Sequence, residues 1–595
     1  MNRILVLMLL SFIYFKGFTQ YTDYIGAGHT ANITISSSSN NPESPAENLL
    51  NGEGLDNKYF EASRFLSQAT MGYEKYHVDS LLDLQFESWI DNQFTKNTTL
   101  LLPRLEEIWD EEVAVRTANG ETEIYGPFSA HFSYAWWDVN MENEDLLRHR
   151  VAYALSQIFV ISRFSELTDY GRGMASFYDV LLENAFGNYQ DLLIDVSLHP
   201  CMGYYLSHLN NPKENLEENI HPDENYAREI MQLFTIGLNQ LNMDGTEILD
   251  SDGNPIPTYD NNDIKELAKV FTGLGAGDIE DYVDWTDSPF FGLEFWGTKK
   301  TTPMIMYQDY HDTNAKTLIN NFAIPAGQDG MTDITMAIEN LMNHPNIAPF
   351  VSYRLIQRLV TSNPTIEYVQ RVSEVFTDNG SGVKGDMKAV IKAILLDEEA
   401  RSTLAMEDPF NGKLQEPFLR YSQFARWIPK ISNENRYWNI GFQFYDETKQ
   451  HVLSSPTVFN FYTYDYQPIG EISDNGLVAP EFKLHNTATS VGYINSTYYW
   501  LFWNSLMYSW IPNDYLNTDV SLNTADLESI SEHEEILINE LDRHLTHGQM
   551  TEVTRGILRN ALAQLKWDWN DEWKYYRARI ALYLTLNSPD YNISK

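Results

Sequence analysis

The chain has 595 residues, 43% of them hydrophobic and 21% charged, which supports a sizeable core and excludes global disorder. Its 83 acidic against 41 basic side chains give a net charge of −42, which disfavours nucleic acid phosphates and anionic membranes as partners. The single cysteine, Cys201, excludes an internal disulfide and a thiolate zinc site.

The first twenty residues combine Arg3, an apolar run from Ile4 to Phe15, and Thr19-Gln20. That pattern reads as a secretory signal peptide over 1–20, with the mature chain starting close to Tyr21. No second apolar stretch is long enough to span a bilayer, so no transmembrane segment is expected in the mature chain. Residues 21–56, rich in Ser, Asn, Gly and Thr, read as a flexible leader.

From residue 57 onward the apolar spacing is mostly helical. Two amphipathic helices are expected from Phe60 to Leu66 and from Val78 to Ile90. Further helices are expected near 145–162, 174–197, 224–238, 263–272, 333–343, 347–360, 365–377 and 385–396, then 492–510, 525–547 and 551–589. Asp244-Gly245 and Asp252-Gly253 are tight-turn signals flanking Glu247-Ile248-Leu249 and predict a small β-hairpin. Residues 274–310 and 430–487 read as long irregular aromatic loops. The expected architecture is mainly α: one large multi-helix domain over 57–595 with a small β-hairpin insertion.

The segment from His221 to Gly237 carries the clearest candidate chemistry. Pro222-Asp223 suits a helix start and Gly237 its end. At 100° per residue, Asn225, Arg228, Glu229 and Gln232 share one narrow polar stripe opposite a wide apolar arc. Either this is a solvated stripe with an ordinary Glu224–Arg228 pair, or it faces polar groups inside the fold. In the helix near 145–162, Arg148 projects with Val151, Ala152, Leu155 and Phe159, while His149, Tyr153, Ser156 and Gln157 lie opposite. A buried arginine needs a carboxylate or carbonyl partner, and Glu224 or Glu229 is the expected one. His311-Asp312 suits an acid–base or metal-ligand pair, or simply a cap. No phosphate-cradling glycine loop, nucleophile elbow or HExxH is present.

Several stretches together resemble the bacterial "domain of unknown function 1800" family. They are Ala62-Ser-Arg-Phe-Leu-Ser-Gln-Ala-Thr-Met-Gly72, Leu147-Arg-His-Arg-Val-Ala-Tyr-Ala-Leu-Ser-Gln157, Leu198-His-Pro-Cys-Met-Gly-Tyr-Tyr-Leu206, Asp223-Glu-Asn-Tyr-Ala-Arg-Glu229, Phe271-Thr-Gly273, His311-Asp312 and Arg354-Leu-Ile-Gln-Arg-Leu-Val360. They span about residues 60–400, and Leu586-Asn-Ser-Pro-Asp590 resembles the family's closing stretch. The resemblance implies an exported, largely helical protein, with an exported sulfatase-like or phosphatase-like protein as a partner. It implies no reaction. Where some members carry a Trp-His-x-His-Phe run, this chain has Leu155-Ser-Gln-Ile-Phe159, so Ser156 and Ile158 replace two histidines.

Two functions compete on these residues. One is an exported hydrolase whose cleft gathers Glu224, Asn225, Arg228, Glu229, His311 and Asp312. Glu229 or His311 would act as base, and Arg228 or Arg148 would hold an anionic group. Any divalent metal ion there would be held by Glu229, His311 and Asp312. The other is a non-catalytic binding or assembly protein, in which these residues fix helix register and the aromatic loops contact a partner or a glycan.

Overall fold

The computed structural model describes residues 55–402, 408–432, 435–438, 442–503, 520–566 and 572–595. The expected signal peptide, and the expected leader up to residue 54, lie outside the described residues. The protein is mainly α. Among the described residues, the strands are two or three residues long and form four two-stranded antiparallel pairs.

The expected helices form with shifted ends. Glu74 starts Lys75–Leu82, and the chain breaks at 83–85 before Phe86–Thr95, so one expected helix is two. The stretch 174–197 likewise divides into Gly171–Asn184 and Tyr189–Leu198, the second capped by Asn188 accepting from the Gln190 amide. Asp260 caps Asn261–Val270, Asp329 caps Gly330–Asn343 and Thr365 caps Ile366–Thr377, each side chain accepting an otherwise orphaned amide. Ser129–Glu142 was not expected. Phe132, Trp136, Trp137, Val139 and Met141 are all buried around it, so it shows no polar stripe for periodicity to reveal.

The expected hairpin is a folded excursion with two turns rather than one. Leu241 pairs with Glu247 and Leu249 with Pro255, and Asn239 pairs back to Pro257. Gly245 and Gly253 supply the left-handed turn residues, at φ +82° and +84°. Residues 274–310 are largely irregular, and residues 430–487 include the short helix Phe442–Thr448.

One connected apolar core runs from Tyr59 to Tyr591. Lys413–Leu414 pairs antiparallel with Ile593–Ser594, so the end of the chain returns to the start of the Pro417–Trp427 helix. No helix among the described residues is long and apolar enough to cross a membrane.

Candidate functional site

The helix starting at Asn225 is regular only to Glu229. From Ile230 to Thr235 it widens into a π-helix, with the Ile236 amide reaching back to Met231 O at 2.9 Å. Gly237 ends it at φ +69°, and a Cβ there would lie 2.7 Å from the Phe350 ring. The π-turn breaks the 100° step, so the stripe drawn through Gln232 drifts. Glu224 and Arg228 form a 3.5 Å surface pair, of the kind worth at most about 1 kcal/mol. The Asn225 amide donates to Asp223 Oδ1 at 2.8 Å.

Glu229 alone on that stripe is buried, and its Oε2 has no hydrogen-bond partner. Burial raises its pKa, and Arg228 offsets part of the rise. Tyr259, whose hydroxyl is also buried without a partner, feels the charge of both Arg228 and Glu229. The fold therefore favours the protonated acid. Its contribution to stability is fully present below the ordinary glutamate value of 4.5 and is lost as pH rises through the raised one. Glu229→Gln is expected to raise the urea midpoint at pH 7 and to leave it close to wild type at pH 4.5. A wild type more stable than the variant at pH 7 would contradict this.

His311 and Asp312 lie on another part of the molecule's hydrogen-bond network. His311 Nδ1 donates to Thr272 O at 2.9 Å, and Nε2 sits 3.1 Å from Asp333 Oδ2. Lys316 Nζ donates to the same Asp333 oxygen at 2.6 Å, and all three side chains are buried. Asp312 Oδ1 accepts from the Asn314 amide at 2.8 Å, so it caps the following turn. Gly273, at φ +87°, lets this turn approach: a Cβ there would lie 2.9 Å from the His311 amide.

No hydrogen bond or ion pair among the described residues joins Glu229 to His311 or Asp312. The expected metal-ligand set is not brought together: both His311 ring nitrogens and Asp312 Oδ1 are engaged elsewhere. Among the described residues, no three His, Cys, Asp or Glu side chains converge as metal ligands do.

Arg148 corrects a second expectation. It is buried, but its partners are Leu182 O at 2.9 Å, Asp145 Oδ2 at 3.8 Å and the face of Phe186 at 4.5 Å. Neither Glu224 nor Glu229 reaches it. A nearer acid, one turn back on its own helix, takes the role.

Another buried convergence of polar groups, which sequence reasoning missed, lies around Glu416. This buried carboxylate accepts from the hydroxyls of Tyr153 and Tyr462 and from the amides of Gln157 and Gln450, the last two at 2.6 Å. Burial alone would raise its pKa, but Lys413, Arg358 and the two hydroxyls hold it below the usual carboxylate value. Lys413 pairs with Glu481 at 3.0 Å, both fully enclosed. Tyr153 and Gln157 belong to the face opposite Arg148, so the one sequence signal for this site was that polar stripe.

Beside Glu416 a narrow recess, with room for a water-sized group, is lined by Gln157, His451, Ser455, Asn460 and Phe461. Gln157 Oε1, Ser455 Oγ and Asn460 Nδ2 are buried there without a protein partner. Its wall is strained, with Leu453 at φ +47°. His451 Nε2 accepts from Trp137 Nε1 at 3.2 Å, and burial pulls its pKa down to about 3, so the ring is neutral.

A surface of a different kind occupies residues 282–310. Tyr282, Trp285, Phe290 and Trp296 are 61%, 56%, 39% and 41% exposed. Tyr282 and Trp296 lie nearly parallel at 6.3 Å, and Trp285 sits 6.5 Å from Trp296. The base beneath them is built. Tyr282 donates its hydroxyl to Trp296 O, Trp296 Nε1 donates to Glu294 at 2.6 Å, and Lys300 Nζ donates to Trp296 O at 2.8 Å while pairing with Glu280 at 3.1 Å. Phe291 stacks on Tyr310 at 3.9 Å on the same segment.

The fold is thus a large helical one with its polar network sealed inside and an aromatic face outside. Residues 64–593 match the family described as "Protein of unknown function (DUF1800)", and the chain belongs to that family. The match extends well past residue 400, where the recognisable motifs thin out. No curated protein and no solved structure matches the chain.

Proposed function

We propose that the protein is an exported, non-catalytic binding protein and that its aromatic face over residues 282–296 contacts a glycan. The observation that carries this reading is the set of four exposed rings, two of which, Tyr282 and Trp296, are held in place by hydrogen bonds. Exposed Trp and Tyr present broad, rigid apolar area at low entropic cost, and the C–H faces of sugar rings stack on it. Asp284 and Asp287, exposed on the same loop, would accept from sugar hydroxyls. The same carboxylates would repel a uronic or sulfated chain, so the glycan is a neutral one.

The engagement of His311 and Asp312 in holding Thr272, Asp333 and Asn314 supports this reading over the hydrolase one. The basic start, apolar run and small-residue end of residues 1–20 support export. Amino-terminal sequencing of the exported protein should begin close to Tyr21; an intact Met1 would contradict it.

The test is retention on insoluble neutral polysaccharides such as cellulose, chitin and starch granules. Wild type should be retained on at least one. The Trp285→Ala/Trp296→Ala variant should lose about tenfold or more in affinity, since each ring supplies roughly 1 kcal/mol or more. Equal retention of the two proteins, or none by wild type on any of them, would contradict the proposal.

A further inference from the structure

Buried arginines in this protein are supplied with oxygen partners by the chain itself. Arg64 donates to Ala400 O, Arg426 to Asn140 O and Arg577 to Ser531 O. Arg150 donates to Arg358 O at 2.5 Å, and Lys413 donates to Gln357 O and Arg358 O besides pairing with Glu481. Arg354 and Arg358 break this pattern. They are 8% and 6% exposed, one turn apart on the helix Ile347–Leu359, yet among the described residues neither guanidinium has a hydrogen bond or an ion pair.

What these two side chains have instead is aromatic walls. Arg354 lies 3.1 Å from the centre of the Tyr464 ring and 4.7 Å from that of Phe350. Arg358 lies 4.7 Å from the centre of the Tyr462 ring. Between them, Gln357 Nε2 donates to Tyr464 O at 3.1 Å and Ser362 O at 3.0 Å, which pins the 462–464 segment over the helix. Ring faces orient a guanidinium but leave its N–H fork unused, and the nitrogens of both arginines are not sealed from solvent.

The buried acids that face this pair are already bonded to other donors. Glu416 is taken up by Tyr153, Gln157, Gln450 and Tyr462, and Glu481 by Lys413 and Ser362. Asp465 acts on Arg354 from an exposed position. Burial accordingly pulls the Arg354 pKa down to about 9, with Tyr464 opposing it and Arg358 adding to it. Burial acts on Arg358 too, but Tyr462, Glu416 and Glu481 more than offset it. An unpaired buried cation costs several kcal/mol, in a chain with twice as many acids as bases to pair it.

We propose that Arg354 and Arg358, walled by Tyr464 and Tyr462, form a binding site for an oxyanion: a sulfate, phosphate or carboxylate group, free or carried on a larger molecule. Two forks on one helix face can each meet an anionic oxygen bidentately, and the stacked rings fix their planes beforehand. The site is independent of the aromatic face at 282–296 and stands or falls without it.

The experiment uses the full mature chain and three probes, sodium sulfate, sodium phosphate and sodium acetate, each against sodium chloride at equal ionic strength, read by melting temperature and by calorimetric titration. Wild type should show a saturable rise in melting temperature with at least one probe. A response to sulfate and phosphate alone assigns a tetrahedral anion, and one to acetate a carboxylate. Arg354→Met and Arg358→Met keep the bulk over the rings. Each should weaken binding about tenfold or more, while the melting temperature of Arg354→Met in chloride stays at or above the wild-type value, because the burial of that charge is not compensated. Arg172→Met, at a partly exposed arginine paired with Glu106, should respond as wild type does. No saturable response in wild type, an undiminished response in both methionine variants, or a sharp loss of stability of Arg354→Met in chloride would each overturn the assignment.

Discussion

Glu416→Ala is expected to destabilise the protein by about 3–5 kcal/mol, the cost of stripping one partner from a buried charged network. The carboxylate accepts four hydrogen bonds, from Tyr153, Gln157, Gln450 and Tyr462. Without it Tyr153, Gln157 and Tyr462 lose their buried acceptor, Gln450 keeps only the Tyr153 hydroxyl, and Lys413 keeps Glu481 as its buried acid. Glu416→Gln should cost less, because one acceptor oxygen remains, but it still forfeits the charge. The loss should be cooperative, since the partners come from the Leu146–Ser156 helix and its C-cap, the start of the Pro417–Trp427 helix, and the 450–462 segment. Urea denaturation followed by circular dichroism measures it. A loss below about 1 kcal/mol for the alanine variant would mean the network does not hold these elements together.

Asp333→Ala carries the second large expected effect, again about 3–5 kcal/mol. Asp333 Oδ2 holds both Lys316 Nζ and His311 Nε2, and Oδ1 accepts from Gln328 at 2.9 Å. Lys316 is fully enclosed, so removing Asp333 strands a buried ammonium. The double variant Asp333→Ala/Lys316→Met should recover part of the loss, because the stranded charge is gone. A double variant no more stable than Asp333→Ala alone would show that the lysine charge is not what the aspartate compensates. His311 then keeps only the Thr272 carbonyl, and its ring should become more mobile on the NMR timescale.

These two networks show how far the sequence reached. The limits of the Asn225 helix followed from Pro222-Asp223 and Gly237, and the tight turns from Asp244-Gly245 and Asp252-Gly253, because each is a local conformational requirement. The stripe of Tyr153 and Gln157 was visible as helical periodicity. Its target was not, since Glu416 lies 263 residues from Tyr153 and 259 from Gln157, and no periodic signal surrounds a lone glutamate before Pro417. The same limit misassigned Arg148: the count of acids said that a partner exists, while Asp145 owes its role to the helix start it occupies. The π-turn from Ile230 was invisible because nothing in Ile-Met-Gln-Leu-Phe-Thr distinguishes it from α-helix. The aromatic segment 274–310 read correctly as irregular, but exposure of Tyr282, Trp285 and Trp296 is a property of the packed molecule.

The separation between a sealed interior and an exposed aromatic face gives the most direct test. On whichever neutral polysaccharide retains the wild type, retention and the release of soluble reducing ends should be measured together for wild type, Trp285→Ala/Trp296→Ala and Glu229→Gln. Retention should fall about tenfold or more in the tryptophan variant, stay at the wild-type level in Glu229→Gln, and occur without release of sugar by any of the three. Release of reducing ends by wild type that disappears in Glu229→Gln would contradict the account and place the chemistry at Glu229.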